Sequence, residues 1–211
     1  MRIELTGAGK RFNREWIFRA ADLSFASGTA YAITGANGSG KSTLLQCIGG
    51  MLQLSEGKME FFDANGMVSP EKMFSHISFS APYLDVIEEM SLAEFLEFHH
   101  QFKPFLHELS PAEIIRIIGL EAAATKQIRL YSSGMKQRVK LAQAIFSNAE
   151  VILLDEPCSN LDQQGIDLYH QLVQDYCKER LVMVCSNDPV EYSFCTEILS
   201  IHNYKPAARI A

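Results

Sequence analysis

Residues 35–42 read Gly-Ala-Asn-Gly-Ser-Gly-Lys-Ser, set between an apolar run, Ala30–Thr34, and a stretch of helical character, Lys41–Gly49. The segment meets the pattern GxxxxGK[ST] without a mismatch. It limits the fold severely, because the pattern works only where a buried strand ends and a helix begins. Gly35, Gly38 and Gly40 let the backbone curl until successive N–H groups point at one anion. A helix beginning near Lys41 turns the positive end of its dipole on the same point. Lys41 then reaches the β- and γ-phosphates of a nucleotide, and the Ser42 hydroxyl ligates Mg²⁺. Asn37, Ser39 and Thr43 complete the candidate phosphate-binding set.

Far downstream, Val151-Ile152-Leu153-Leu154-Asp155-Glu156 is an apolar strand ending abruptly in two carboxylates. Beside a phosphate-binding loop, Asp155 is placed to hold Mg²⁺ directly or through water. Glu156 is placed to polarise an attacking water, which is general-base work. Lys41 and Glu156 are therefore the first catalytic candidates.

Composition narrows the field of functions. Hydrophobic residues at 47% and charged residues at 21% describe an ordinary globular chain and exclude a disordered or collagen-like one. A net charge of −6 argues against dedicated nucleic-acid binding. Cys47, Cys158, Cys177, Cys185 and Cys195 show no CxxC pair, which reads as reduced thiols in a cytosolic protein. The N-terminus has no apolar signal region, and no apolar run approaches the roughly 20 residues of a transmembrane helix. His99, His100 and His107 cluster near a helix end, but adjacent histidines point in different directions on a helix, so solvated or packing roles are expected over metal binding.

The chain alternates. Short β-type runs are expected at Arg14–Phe18 and Leu23–Phe25, then Ala30–Thr34, a helix at Lys41–Gly49, and strands at Lys58–Phe62 and Ile77–Ser80. From Ser91 to about Ser147 the pattern turns helical, with a capping box at Ser110–Glu113 and Gly119 as a helix end. Strand Val151–Leu154, helix Gln163–Cys177, strand Leu181–Cys185 and a strand near Ile198–Ile201 follow. This predicts an α/β fold with a largely parallel sheet between helices and an inserted helical segment. Residues 203–211 read as a frayed tail.

Over nearly its whole length the sequence resembles the nucleotide-binding subunits of ABC transporters. Tyr131-Ser132-Ser133-Gly134-Met135-Lys136-Gln137-Arg138 is similar to the family's LSGGQ signature and the helix after it. Pro157-Cys158-Ser159-Asn160-Leu161-Asp162 looks like its D-loop. The resemblance implies one P-loop NTPase domain of ABC type over 1–211, with a mixed sheet flanked by helices and an N-terminal antiparallel β subdomain. Residues 1–90 and 148–211 would form the catalytic core, and 91–147 the helical subdomain. It also implies ATP and Mg²⁺ as ligands and an ATPase that drives a separate membrane permease by ATP-driven dimerisation. The dimer would pair two copies or a copy and a paralogue, without nucleic acid, peripheral on the cytoplasmic face of the membrane. Ser132, Ser133 and Gly134 would meet the ATP of the opposite subunit, and Asp162 would link the two sites. Phe12 falls where the family keeps an aromatic on adenine, with Trp16 as its competitor.

Two positions depart from the family pattern. The segment Ser80-Ala81-Pro82-Tyr83 lacks the glutamine expected after that strand. Cys185-Ser186-Asn187-Asp188 puts Asn187 at the switch-histidine position, where an amide can donate a hydrogen bond but cannot become cationic. Hydrolysis is expected, at a reduced rate. Tyr83 and Leu84 are candidates for permease contact. The single-domain length resembles subunits of ABC-2-type exporters, including the haem-exporter group.

Overall fold

Val151–Asp155 and Leu181–Cys185 are buried at every position, a pattern that only a sheet covered on both faces produces. In a computed structural model, which describes residues 1–206, they form the centre of such a sheet. In chain order the elements are β1 (Arg2–Phe12), β2 (Glu15–Ala26), β3 (Ala30–Thr34), α1 (Lys41–Ile48), β4 (Glu56–Asp63) and β5 (Gly66–Met67). Then come α2 (Met73–His76), β6 (Ile77–Ser80), α3 (Leu92–Phe102), α4 (Pro111–Ile117), α5 (Ser133–Phe146) and β7 (Val151–Asp155). The chain continues with α6 (Gln163–Tyr176), β8 (Leu181–Cys185) and β9 (Glu197–Ser200).

Five strands in the order β6-β7-β8-β3-β9 pair in parallel throughout. A second sheet, β2-β1-β4-β5, is antiparallel. The α/β class thus contains both kinds of pairing, each in its own sheet. Alternate residues of the parallel strands serve two cores. Ile152, Leu154, Val182 and Val184 face a core shared with α3, α4, α5 and α6. Val151, Leu153, Leu181 and Met183 face a core shared with α1 and the antiparallel sheet. The helical stretch between residues 91 and 147 is therefore seated on the same apolar core as the parallel sheet.

The N-terminal strand β1 went unread in the sequence, and the two brief runs expected at 14–18 and 23–25 are one long strand, β2. Register shifts between Leu5 and Arg11, together with Ala20 at φ 52°, break the period-2 alternation that would have marked them. The helical middle resolves into α3, α4 and α5 joined by short 3-10 turns. Both Ser91 and Ser110 form complete capping boxes, with Glu94 and Glu113 respectively. Of the expected tail, Asn203 and Tyr204 belong to a 3-10 turn, Ile201–Tyr204, and 207–211 lie outside the described residues.

The ring of His99 on α3 packs beside Phe95 and Phe105, and its Nε2 lies 2.8 Å from Ser147 Oγ at the end of α5. Burial, then the charges of Lys103 and His100, pushes its pKa down to about 4. The folded protein therefore excludes a proton that the unfolded chain accepts below about 6.5. This contribution to stability is intact above that pH and is lost as pH falls towards 4. Denaturant unfolding between pH 7 and pH 4.5 should show wild type losing about 2 kcal/mol more than His99→Gln, allowing for partial exposure. Equal losses in the two proteins would place the acid sensitivity elsewhere.

Candidate functional site

β3 delivers the chain to residues 35–42 at the carboxyl end of the parallel sheet, where loops between parallel strands and helices converge. Gly35, Gly38 and Gly40 all take positive φ. At Gly40 (φ 106°) a methyl group would stand 2.3 Å from Ile17 Cγ2, and at Gly35 (φ 146°) 2.6 Å from Ile201 Cγ2. Both positions thus admit only glycine without rearrangement. Lys41 is 5% exposed, and its Nζ donates to the carbonyls of Gly35 at 2.7 Å and Ala36 at 3.4 Å. The Ser39 hydroxyl is buried without a partner among the described residues. Asn37, Gly38, Ser39, Gly40, Lys41, Ser42, Thr43, Ile17 and Glu156 line one cleft of about 200 Å³.

Asp155 closes β7, two strands from β3, and is 2% exposed. Its Oδ2 accepts a hydrogen bond from the Tyr83 hydroxyl at 3.2 Å, while Oδ1 is buried with no partner among the described residues. Burial raises the carboxyl pKa; the nearby Ser42 hydroxyl, Tyr83 and Lys41 pull the other way. Ser42 lies close enough to favour the ionised form without closing a hydrogen bond on Oδ1. A hydroxyl and an unpartnered carboxylate oxygen are the hard donors a Mg²⁺ ion takes, so these residues fit the cation. Glu156 follows at φ 43°, its N–H held by the Cys185 carbonyl at 2.9 Å. That strained conformation carries it out of the strand line and into the wall of the cleft. Opposite, Asn187 Nδ2 donates to Asn37 Oδ1 at 2.6 Å, so the amide at the switch position touches the glycine-rich loop.

Ser132, Ser133, Gly134 and Asp162 come together elsewhere. They line a second cleft, about 510 Å³, with Arg138, Asn160 and their neighbours, and it shares no lining residue with the first. Ser132 caps α5 by accepting from the Met135 N–H, and Asp162 caps α6 by accepting from the Gly165 N–H. Phe12 stands at the end of β1, 46% exposed, with Lys10 Nζ 5.1 Å from its ring centroid, and it does not line the first cleft. Strand context does not separate it from Trp16, since both lie in strands; Trp16 has the Arg11 and Arg19 guanidiniums on its ring.

Several contributors were missed in the sequence. Ile17 walls the first cleft, yet it reads only as one more β-branched strand residue. Gln137 Nε2 donates to the Pro157 carbonyl, and Glu191, 6% exposed, accepts from the Cys158 N–H. These two side chains hold the 157–162 loop from α5 on one side and from the 186–196 segment on the other. No spacing rule links residues 20 and 33 positions away from their partners.

Residues 18–159 match the ABC transporter domain family. The chain is 28% identical over 192 residues to the uncharacterized ABC transporter ATP-binding protein YybJ of Bacillus subtilis (strain 168), covering 88% of this chain and 85% of that one. It is 32% identical over 146 residues to the cytochrome c biogenesis ATP-binding export protein CcmA of Xylella fastidiosa (strain 9a5c), covering 69% and 65%. The fold is similar to the dimeric post-hydrolysis structure of the ATP-binding cassette MJ0796 bound to ADP and Pi, with a TM-score of 0.80 and 23% identity over 94% of this chain and 93% of that one.

The loop geometry generates a prediction. Gly40→Ala should weaken ATP binding roughly tenfold or more, measured with a fluorescent ATP analogue, because a left-handed backbone is unfavourable for alanine. Adding Ile17→Ala removes the clash but not the strain, so only part of the affinity should return. Wild-type affinity in Gly40→Ala would contradict the cradle.

Proposed function

We propose how this chain, which belongs to the ABC transporter family, divides the work of ATP binding and hydrolysis among its residues. It is an ATP-binding, ATP-hydrolysing subunit that energises a membrane permease carried on another chain. Among the described residues no helix is long and apolar enough to cross a membrane. In our reading it sits on the cytoplasmic face, held there by the permease.

The triphosphate lies in the first cleft. The N–H groups of residues 35–43 and the start of α1 receive its oxygens, and Lys41 exchanges the carbonyls of Gly35 and Ala36 for the β- and γ-phosphates. Ser42 and Asp155 would hold Mg²⁺, which when bound would supply charge neutralisation at those phosphates. Glu156 accepts the proton of the attacking water, and Asn187 donates its amide to the γ-phosphate. Because Asn187 cannot carry a proton, turnover is slower than a histidine at this position would give. Phe12, the family's aromatic position, covers the adenine.

The observation that carries this reading is the division of site residues between two clefts on one chain. Ser132, Ser133 and Gly134 complete the site only when a second subunit, a copy or a paralogue, brings them over the γ-phosphate, with Asp162 at the junction. The permease rests on the exposed edge-to-face pair Phe98 and Phe102, with Tyr83 and Leu84 as further contacts. The likeness to CcmA favours an exporter assembly.

Steady-state phosphate release should persist in wild type and fall at least a hundredfold in Glu156→Gln, the scale of losing a general base. Lys41→Ala should lose nucleotide binding itself. Wild-type phosphate release at the blank rate with the permease present, or unchanged ATP affinity in Lys41→Ala, would contradict these roles.

A further inference from the structure

The stretch 81–90, between β6 and α3, has no regular structure, yet it is tied down at several points, all on one side. Lys140 Nζ on α5 donates to the Pro82 carbonyl at 2.8 Å. Lys136 Nζ, one turn earlier on α5, meets Glu88 Oε1 at 2.5 Å. Just ahead of α5, the N–H groups of Ile128 and Arg129 donate to the carbonyls of Met90 and Glu88. The loop is therefore anchored to α5, the helix that begins at Ser133 and Gly134, and to the segment leading into it.

Tyr83 reaches away from those anchors. Its hydroxyl crosses to Asp155 Oδ2 on the parallel sheet, with Gln46 of α1 alongside, while 47% of the residue remains exposed on the outer surface. It is the one side chain among the described residues that hydrogen-bonds to Asp155. A carboxylate has a single free rotation at its end; pinning one oxygen directs the other. Here the directed oxygen is Oδ1, buried and without a partner among the described residues, on a carboxyl that has Ser42 close by.

We propose that Tyr83 is a positioning residue: by holding Asp155 Oδ2 it aims Oδ1 at the cation site, so that metal-dependent nucleotide binding follows the position of the 81–90 loop and of α5. The inference rests on the assignment of Ser42 and Asp155 given above. Motion of α5 relative to β7, or a partner pressing on the exposed face of Tyr83, loosens or restores this hydrogen bond.

Binding of a fluorescent ATP analogue to the full chain, titrated with Mg²⁺, tests it without reference to turnover. In Tyr83→Phe, affinity for the metal-free nucleotide should stay within about twofold of wild type, while the Mg²⁺ concentration for half-saturation rises roughly tenfold, the scale of one hydrogen bond to a charged group. Lys140→Met should raise that concentration in wild type and add nothing in Tyr83→Phe, because both act through one contact. Asp155→Asn should remove the Mg²⁺ effect altogether. A Tyr83→Phe titration that overlays wild type, or a Lys140→Met effect that simply adds to it, would overturn the proposal while Asp155→Asn upholds the cation site. If Asp155→Asn also overlays wild type, the cation assignment fails and this inference falls with it.

Discussion

Asp155 ends β7 inside the protein with one oxygen held by a tyrosine and the other without a partner among the described residues. Burying an ionised carboxylate this way is unfavourable by several kcal/mol unless a cation answers it. Much of the architecture can be traced to that requirement. The parallel order β7-β8-β3 brings the end of β7 level with the turn that follows β3, and Cys185 packs between them with its Sγ 3.4 Å from the Lys41 carbonyl. Lys41, the nearby buried cation, is occupied by the carbonyls of its own loop. The site is thus assembled around charge that its own side chains leave incompletely matched. A Mg²⁺–nucleotide complex, carrying both signs, matches it.

In the proposed dimer, the other half of the molecule completes the second subunit's site. Ser132, Ser133 and Gly134 open a cleft separate from the glycine-rich loop, and the 157–162 segment forms its far wall. Gln137 and Glu191 fix that segment from two directions, so the loop after Glu156 is coupled both to α5 and to the stretch that holds Asn187. Buried polar contacts of this kind fix geometry more than they stabilise. The loop between the two clefts is thus held by two largely buried side chains and not by mobile surface groups.

What the sequence disclosed follows from how local each signal is. The loop at 35–42 and the strand ending in Asp155-Glu156 are contiguous, and their chemistry dictates residue types at fixed offsets. Leu181–Cys185 was legible to the residue because a buried parallel strand is an uninterrupted apolar run, and Ile77–Ser80 because Ile-Ser-Phe-Ser alternates apolar and polar residues. Strand β1 was hidden, since its register shifts destroy the alternation on which such readings depend. Ile17, Tyr83, Gln137 and Glu191 matter through partners 20 or more positions away, and no local pattern distinguishes them from ordinary core or surface residues. The second cleft was read from family likeness; as sequence alone, Ser132 is a helix cap, and the fold uses it as one as well.

Sedimentation velocity on Glu156→Gln, with and without Mg²⁺ and ATP, tests the central claim that each chain holds two incomplete halves of a shared site. The account predicts a monomer without nucleotide that becomes a dimer with it, and a return to monomer when Ser132→Phe blocks the second cleft. A monomer at saturating, demonstrably bound ATP, or a dimer indifferent to Ser132→Phe, would contradict it.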